Sequence, residues 1–161
     1  MRTTNIILFV VSIILISACS RPATQSANSS SARYERNGMV NFSNYSKNVL
    51  TVTSEQSAEN LSKAIYFAEI NALENVLFRG IPGSPSEAPI ISDEVAAMKN
   101  NKQFLDTFIF ETGTKTFVTN SETIVSNKQG GRVFVKQNVS FDLNGIRKYL
   151  EKNNIIKGFG L

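Results

Sequence analysis

No histidine occurs in this chain, and cysteine occurs once, at position 19. The missing imidazole removes the commonest general base and the commonest metal ligand. A single thiol has no internal disulfide partner and offers no thiolate cluster to a metal. Glycine-rich phosphate loops are absent too, because Gly130-Gly131 and Gly158-Phe159-Gly160 lack a strand-to-helix context. What remains for catalysis is a Ser–Lys pair or two carboxylates. Ser46-Lys47 and Ser62-Lys63 are sequence neighbours, which regular structure points apart. Asp93 with Glu94, and Glu55 with Glu59, stand where helix starts collect negative charge. The expectation is a non-enzyme with no catalytic residues, no cofactor and no metal.

Runs of one charge are also missing. The chain carries 17 basic and 13 acidic side chains, spread evenly, which is not a nucleic-acid footprint. No nucleic-acid partner is expected. No internal repeat is found.

The N-terminus is distinctive. Arg2 precedes an apolar stretch from Ile6 to Ile16 that only Ser12 interrupts, and Ser17-Ala18 then supplies two small residues. The stretch falls short of the roughly 20 residues that a spanning helix needs. A small pair followed directly by Cys19 resembles the lipobox of bacterial lipoproteins, with Ile16 where Leu is commoner. The resemblance implies cleavage between Ala18 and Cys19 that leaves Cys19 as the first residue, carrying thioether-linked diacylglycerol and an amide-linked acyl chain on the new amino group. Two or more chains anchor stably, at about 0.8 kcal/mol per buried methylene. Ser20, in place of the aspartate that marks inner-membrane retention, implies the outer membrane, and with no acidic run after Cys19 to argue for surface export the protein is read as facing the periplasm. The other reading is an ordinary signal peptide with a cysteine near its cleavage site.

The chain thus divides into a signal peptide (1–18), a lipidated cysteine with a flexible tether (19–37) and one α+β domain (38–161). The 18 residues from Ser20 to Asn37 carry almost no large apolar side chains. Their coil span is about 25 Å and their full reach about 60 Å. Arg21, Arg33 and Arg36 are read as solvated, with contact to anionic headgroups as the alternative.

Within the domain, Val49 to Thr53 reads as a strand. Helix-start chemistry follows, from Thr53 with Gln56 or from Ser54 with Glu55. Ala58, Leu61, Ile65, Ala68, Ala72 and Val76 form a helical stripe widened by Ala64, and Gly80 is its stop. Arg79 to Pro85 is a stiff connector in which Pro82-Gly83 suits a type II turn. A second helix is expected from Ser92, broken near Asn100-Asn101 and continuing through Phe104, Leu105, Phe108 and Ile109. Lys115 to Ser126 and Val133 to Phe141 read as a hairpin turning at Lys128 to Gly131, with Phe134 facing away from Val133, Val135, Val139 and Phe141. A last helix runs from Gly145 to Lys152. The order strand, helix, helix, strand, strand, helix gives a mainly antiparallel sheet with helices on one face.

Ala64, Ala68 and Ala72 at four-residue spacing, with the later hairpin leading into Asn144-Gly145-Ile146-Arg147-Lys148-Tyr149-Leu150, resemble a small bacterial envelope domain. It occurs in LPP-type lipoproteins and at the N-terminus of the flagellar assembly factor FlgT. The Pro-rich connector and the Gly158-Phe159-Gly160-Leu161 ending depart from that pattern. The resemblance implies an assembly or interaction role at the membrane with an envelope protein as partner, and Phe159 and Leu161 are the candidate contacts. The alternative is a periplasmic ligand- or lipid-binding protein whose cavity is lined by Phe104, Phe108, Phe110 and Phe117.

Overall fold

A computed structural model describes residues 34–158. It is an α+β fold with strands β1 (Val40–Ser46) and β2 (Val49–Ala58), helices α1 (Leu61–Phe78) and α2 (Glu94–Thr107), a π-helical turn (Phe108–Thr112), α3 (Gly113–Phe117), β3 (Val118–Gln129), β4 (Arg132–Asp142) and α4 (Leu143–Lys152). The four strands lie in the order β1-β2-β4-β3, and every neighbouring pair is antiparallel.

Two hairpins build the sheet. Lys47 and Asn48 turn β1 into β2 with φ of 52° and 67°, and Gly130 and Gly131 turn β3 into β4 with φ of 56° and 79°. Paired left-handed residues match the twist of the flanking strands. Strict alternation in β2 buries Leu50, Val52, Ser54, Gln56 and Ala58, and β4 buries Val135, Gln137, Val139 and Phe141 on the same face, with Ser140 buried as well. Their alternate neighbours Thr51, Thr53, Glu55, Lys136 and Asn138 are half-exposed on the open face. There Thr51 and Ser140 pair their hydroxyls at 2.8 Å, and Lys136 pairs with Glu55 at 3.2 Å.

Several boundaries differ from the sequence reading. Strand β1 is an element that reading lacks, and β2 runs on through Ala58 where a helix start was expected. The cap of α1 is Asn60, whose side chain accepts from the Lys63 amide at 2.9 Å. Leu61, expected in the core stripe, is 45% exposed. Lys115 to Phe117 belong to α3 rather than to a strand, so β3 starts at Val118. The last helix starts at Leu143, capped by Asp142. Phe134 faces the open side, as its alternation requires.

The connector follows expectation closely. Gly80 ends α1 at φ 75° and donates to the Asn75 carbonyl at 2.8 Å. Gly83, at φ 76°, lies in a turn closed by the Ser84 amide on the Ile81 carbonyl at 3.2 Å. Ile90 and Ile91 then donate to Val76 and Leu77, the carbonyls that a helix end leaves free. Helix α2 starts at Glu94 rather than Ser92, because Asp93, expected in the first turn, is the cap that accepts from the Ala96 amide; the break at Asn101 is as expected.

Helix α1 lies over β2 and β4 and is buried on most sides. Ala64, Ala68 and Ala72 let it sit close to the sheet. The π-helical turn covers another side, where Tyr66 donates its hydroxyl to the Phe110 carbonyl. Gly113 is there because a Cβ would stand 2.6 Å from Leu73 and 2.7 Å from the Phe108 carbonyl.

Candidate functional site

The residues that the sequence singles out, Ala18, Cys19, Phe159 and Leu161, lie outside the described residues. The adjoining segments that are described make two well-defined places on the fold.

The first is a strap. The described residues open with Tyr34, and the stretch from Tyr34 to Asn37, which the sequence reading assigns to the tether, is packed on the fold. Tyr34 packs on Phe67 and Phe110, with ring centroids 5.5 and 6.0 Å away. Its hydroxyl donates to Glu74 at 2.6 Å. Arg36 reaches the other oxygen of the same carboxylate, with Nε at 2.7 Å and Nη2 at 2.6 Å. The remaining guanidinium nitrogen meets Glu94 in the first turn of α2, and the group lies 5.6 Å from the ring of Phe78. Gln56 donates to the Glu35 carbonyl at 2.8 Å, and Asn71 donates to Gly38 and to Ser54, both at 3.1 Å. Glu74 is 6% exposed at its side chain, so its charge depends on these partners. Burial and the Glu74 charge push the Tyr34 phenol far above its ordinary value. Burial opposes the Arg36 charge, but its bonds to Glu94 and Glu74 outweigh it and hold the guanidinium ionised.

The second place is a cleft of about 930 Å³ between the start of α2 and the chain after α4. Ile90, Ala96 and Ala97 form one wall, Ile155 and Ile156 the other, and Asn101 sits at the kink. Gly158, next to Phe159, is part of the lining.

Phe104, Phe108 and Phe117 do not line this cleft. They pack with Tyr149, with centroid distances of 5.5 to 6.1 Å, and fill the space between α2, α3 and α4. Phe110 is separate from them and packs on Tyr34.

The acidic pairs named from sequence have structural partners. Asp93 is a cap, Glu94 holds Arg36, Glu55 holds Lys136 and Glu59 holds Lys63. Glu69 is different. Burial raises its pKa against the lowering effect of Ser121, whose hydroxyl donates to it at 2.6 Å. Ser121 in turn accepts from Gln137 at 2.9 Å. Among the described residues, no group of three or more Cys, Asp or Glu side chains is placed to hold a metal ion.

Sequence reasoning missed the strap. The signal was Tyr34 and Arg36, the one aromatic and one of the few long side chains in a stretch otherwise rich in Ser, Ala and Asn. Comparison with protein-family models, with curated proteins and with solved structures finds no match.

Proposed function

We propose that the chain is a lipid-anchored envelope protein whose folded domain engages another envelope protein without catalysing a reaction. The observation that carries this reading is Ile16-Ser17-Ala18-Cys19 at the close of a short apolar run behind Arg2. Lipidation at Cys19 and Ser20 at the next position favour the periplasmic face of the outer membrane. The strap supports a tethered arrangement, since it fastens the chain to α1 through Tyr34 and Arg36 close behind that segment. The partner contact is assigned to Phe159 and Leu161, in the sequence that follows Gly158.

Mass spectrometry of the N-terminal peptide and in-cell cross-linking test the two halves separately. An acylated Cys19 is expected, with Cys19→Ala releasing the protein from the membrane fraction. An unmodified, uncleaved Cys19 removes the anchor. A reproducible envelope protein is expected to cross-link to the wild type and to be lost when the chain is cut after Lys157. If the cut leaves the cross-link intact, the tail is not the contact, and if no protein is captured the interaction role falls.

Ligand binding is the second reading; the packing of Phe104, Phe108 and Phe117 counts against the aromatic-lined cavity, and the cleft that could serve instead sets Ile90, Ile155 and Ile156 beside Asp93, Asn101 and Glu151. Apolar compounds that raise the Tm of the domain, with the effect lost in Ala97→Trp, would select it.

A further inference from the structure

The outer edge of β3 has no strand beside it among the described residues, and its sequence fits one occupant. Ile124 and Val125 are adjacent there and 48% and 37% exposed. A bulge between Thr123 and Val125 changes which face each later residue occupies. Before it, Ser121 and Thr123 oppose Val139 and Gln137 on the face under α1, and Glu122 opposes Asn138 on the open face. After it, Ser126 and Lys128 oppose Val135 and Val133 under α1, and Asn127 opposes Phe134 on the open face.

That switch makes the strand self-complementary. Laid antiparallel on a second copy, about an axis between Ile124 and Val125, β3 sets Ile124 against Val125, Thr123 against Ser126, Glu122 against Asn127 and Ser121 against Lys128. The last three pairs each fall on one face of the joined sheet. In a strand without the bulge, residues an odd number apart point to opposite faces, and these pairs would be split by the sheet.

Charge agrees with the register. Glu69 is in no ion pair among the described residues, and its carboxylate rests on the Ser121 hydroxyl at 2.6 Å. In the paired register, Lys128 of the second copy stands opposite Ser121, where directly opposed Cβ atoms are about 4.5–5.5 Å apart. A lysine side chain spans the rest. We propose that the chain forms a two-fold dimer through the outer edge of β3, with Lys128 of each copy meeting Glu69 of the other. Such a contact is isologous and closed. Helix α1 lies over β2 and β4, so a strand spacing of about 4.8 Å puts it about 10 Å from the axis. The two copies of α1 are then about 20 Å apart, roughly twice a helix diameter, and do not collide. The dimer does not depend on the proposed lipid anchor.

Sedimentation of the full chain in density-matched neutral detergent tests it. A dimer is expected, and Val125→Lys and Lys128→Glu are each expected to weaken it about tenfold or more, with unchanged circular dichroism. Glu69→Lys combined with Lys128→Glu is expected to restore it. A monomer at micromolar concentration, or a dimer indifferent to Val125→Lys, overturns the proposal. Mixed chains provide a readout that spares the fold: Thr123→Cys with Ser126→Cys is expected to form an inter-chain disulfide, and Glu122→Cys with Ser126→Cys is not. Equal yields from the two mixtures also overturn it.

Discussion

Gly38 sits where the strap passes between α1 and β2, and no side chain fits there. A Cβ would stand 1.8 Å from the Glu55 carbonyl oxygen, 2.7 Å from Asn71 Nδ2 and 2.9 Å from Gln56 Nε2. The two amides are the donors that hold the strap, so they have little freedom to withdraw. Gly38→Ala is therefore expected to cost about 1–3 kcal/mol in urea unfolding, in the range of overpacked sites. A loss under about 0.5 kcal/mol would show that the strap shifts aside. Asn71 and Glu74 show why such a site is hard to read from the chain. Both occupy core positions of α1, and both are polar because they bond residues more than 30 positions earlier (Gly38 and Tyr34). A sequence scan meets them as interruptions of an apolar stripe, and nothing local names the distant groups that satisfy them.

Elements were legible where local chemistry decides them. The Gly80 stop, the Pro82-Gly83 turn, the break at Asn101 and the Gly130-Gly131 hairpin each depend on a few adjacent residues. The α1 stripe was legible in part: Ala64, Ala68, Ala72 and Val76 are buried as read, but Leu61 is exposed, and Phe67, Ile70, Leu73 and Leu77 are buried on other sides because sheet, strap and π-helical turn all cover the helix. Strand β1 escaped because its bulge between Phe42 and Asn44 breaks the alternation of Val40, Phe42 and Tyr45. The π-helical turn has no sequence signature at all, and Tyr66 fixes it from another helix. Tyr66→Phe removes the hydroxyl that bonds the Phe110 carbonyl and is expected to cost about 1 kcal/mol. The loss should appear as faster amide exchange confined to Phe108–Thr112. Unchanged exchange there would mean that packing alone holds the turn.

Across the whole molecule, Arg36 is the side chain that ties the strap, α1 and α2 together, through Glu74 and Glu94. Arg36→Met keeps much of the packing on Phe78 and leaves Glu74 with Tyr34 alone. Hydrogen exchange is expected to rise in the first turn of α2 and along the strap, with β4 protected as before; a uniform rise would mean that the clamp sets global stability instead. The sheet order has a kinetic counterpart. Each hairpin closes over neighbours in sequence, but the seam between β2 and β4 joins residues from 75 positions apart (Ala58 and Val133) to 93 (Val49 and Asp142). Loop closure makes that seam the slow event, and the strands that meet in it are the two that carry the buried face of the sheet. Until Val139 finds Val52, each hairpin shows its half of the core to water.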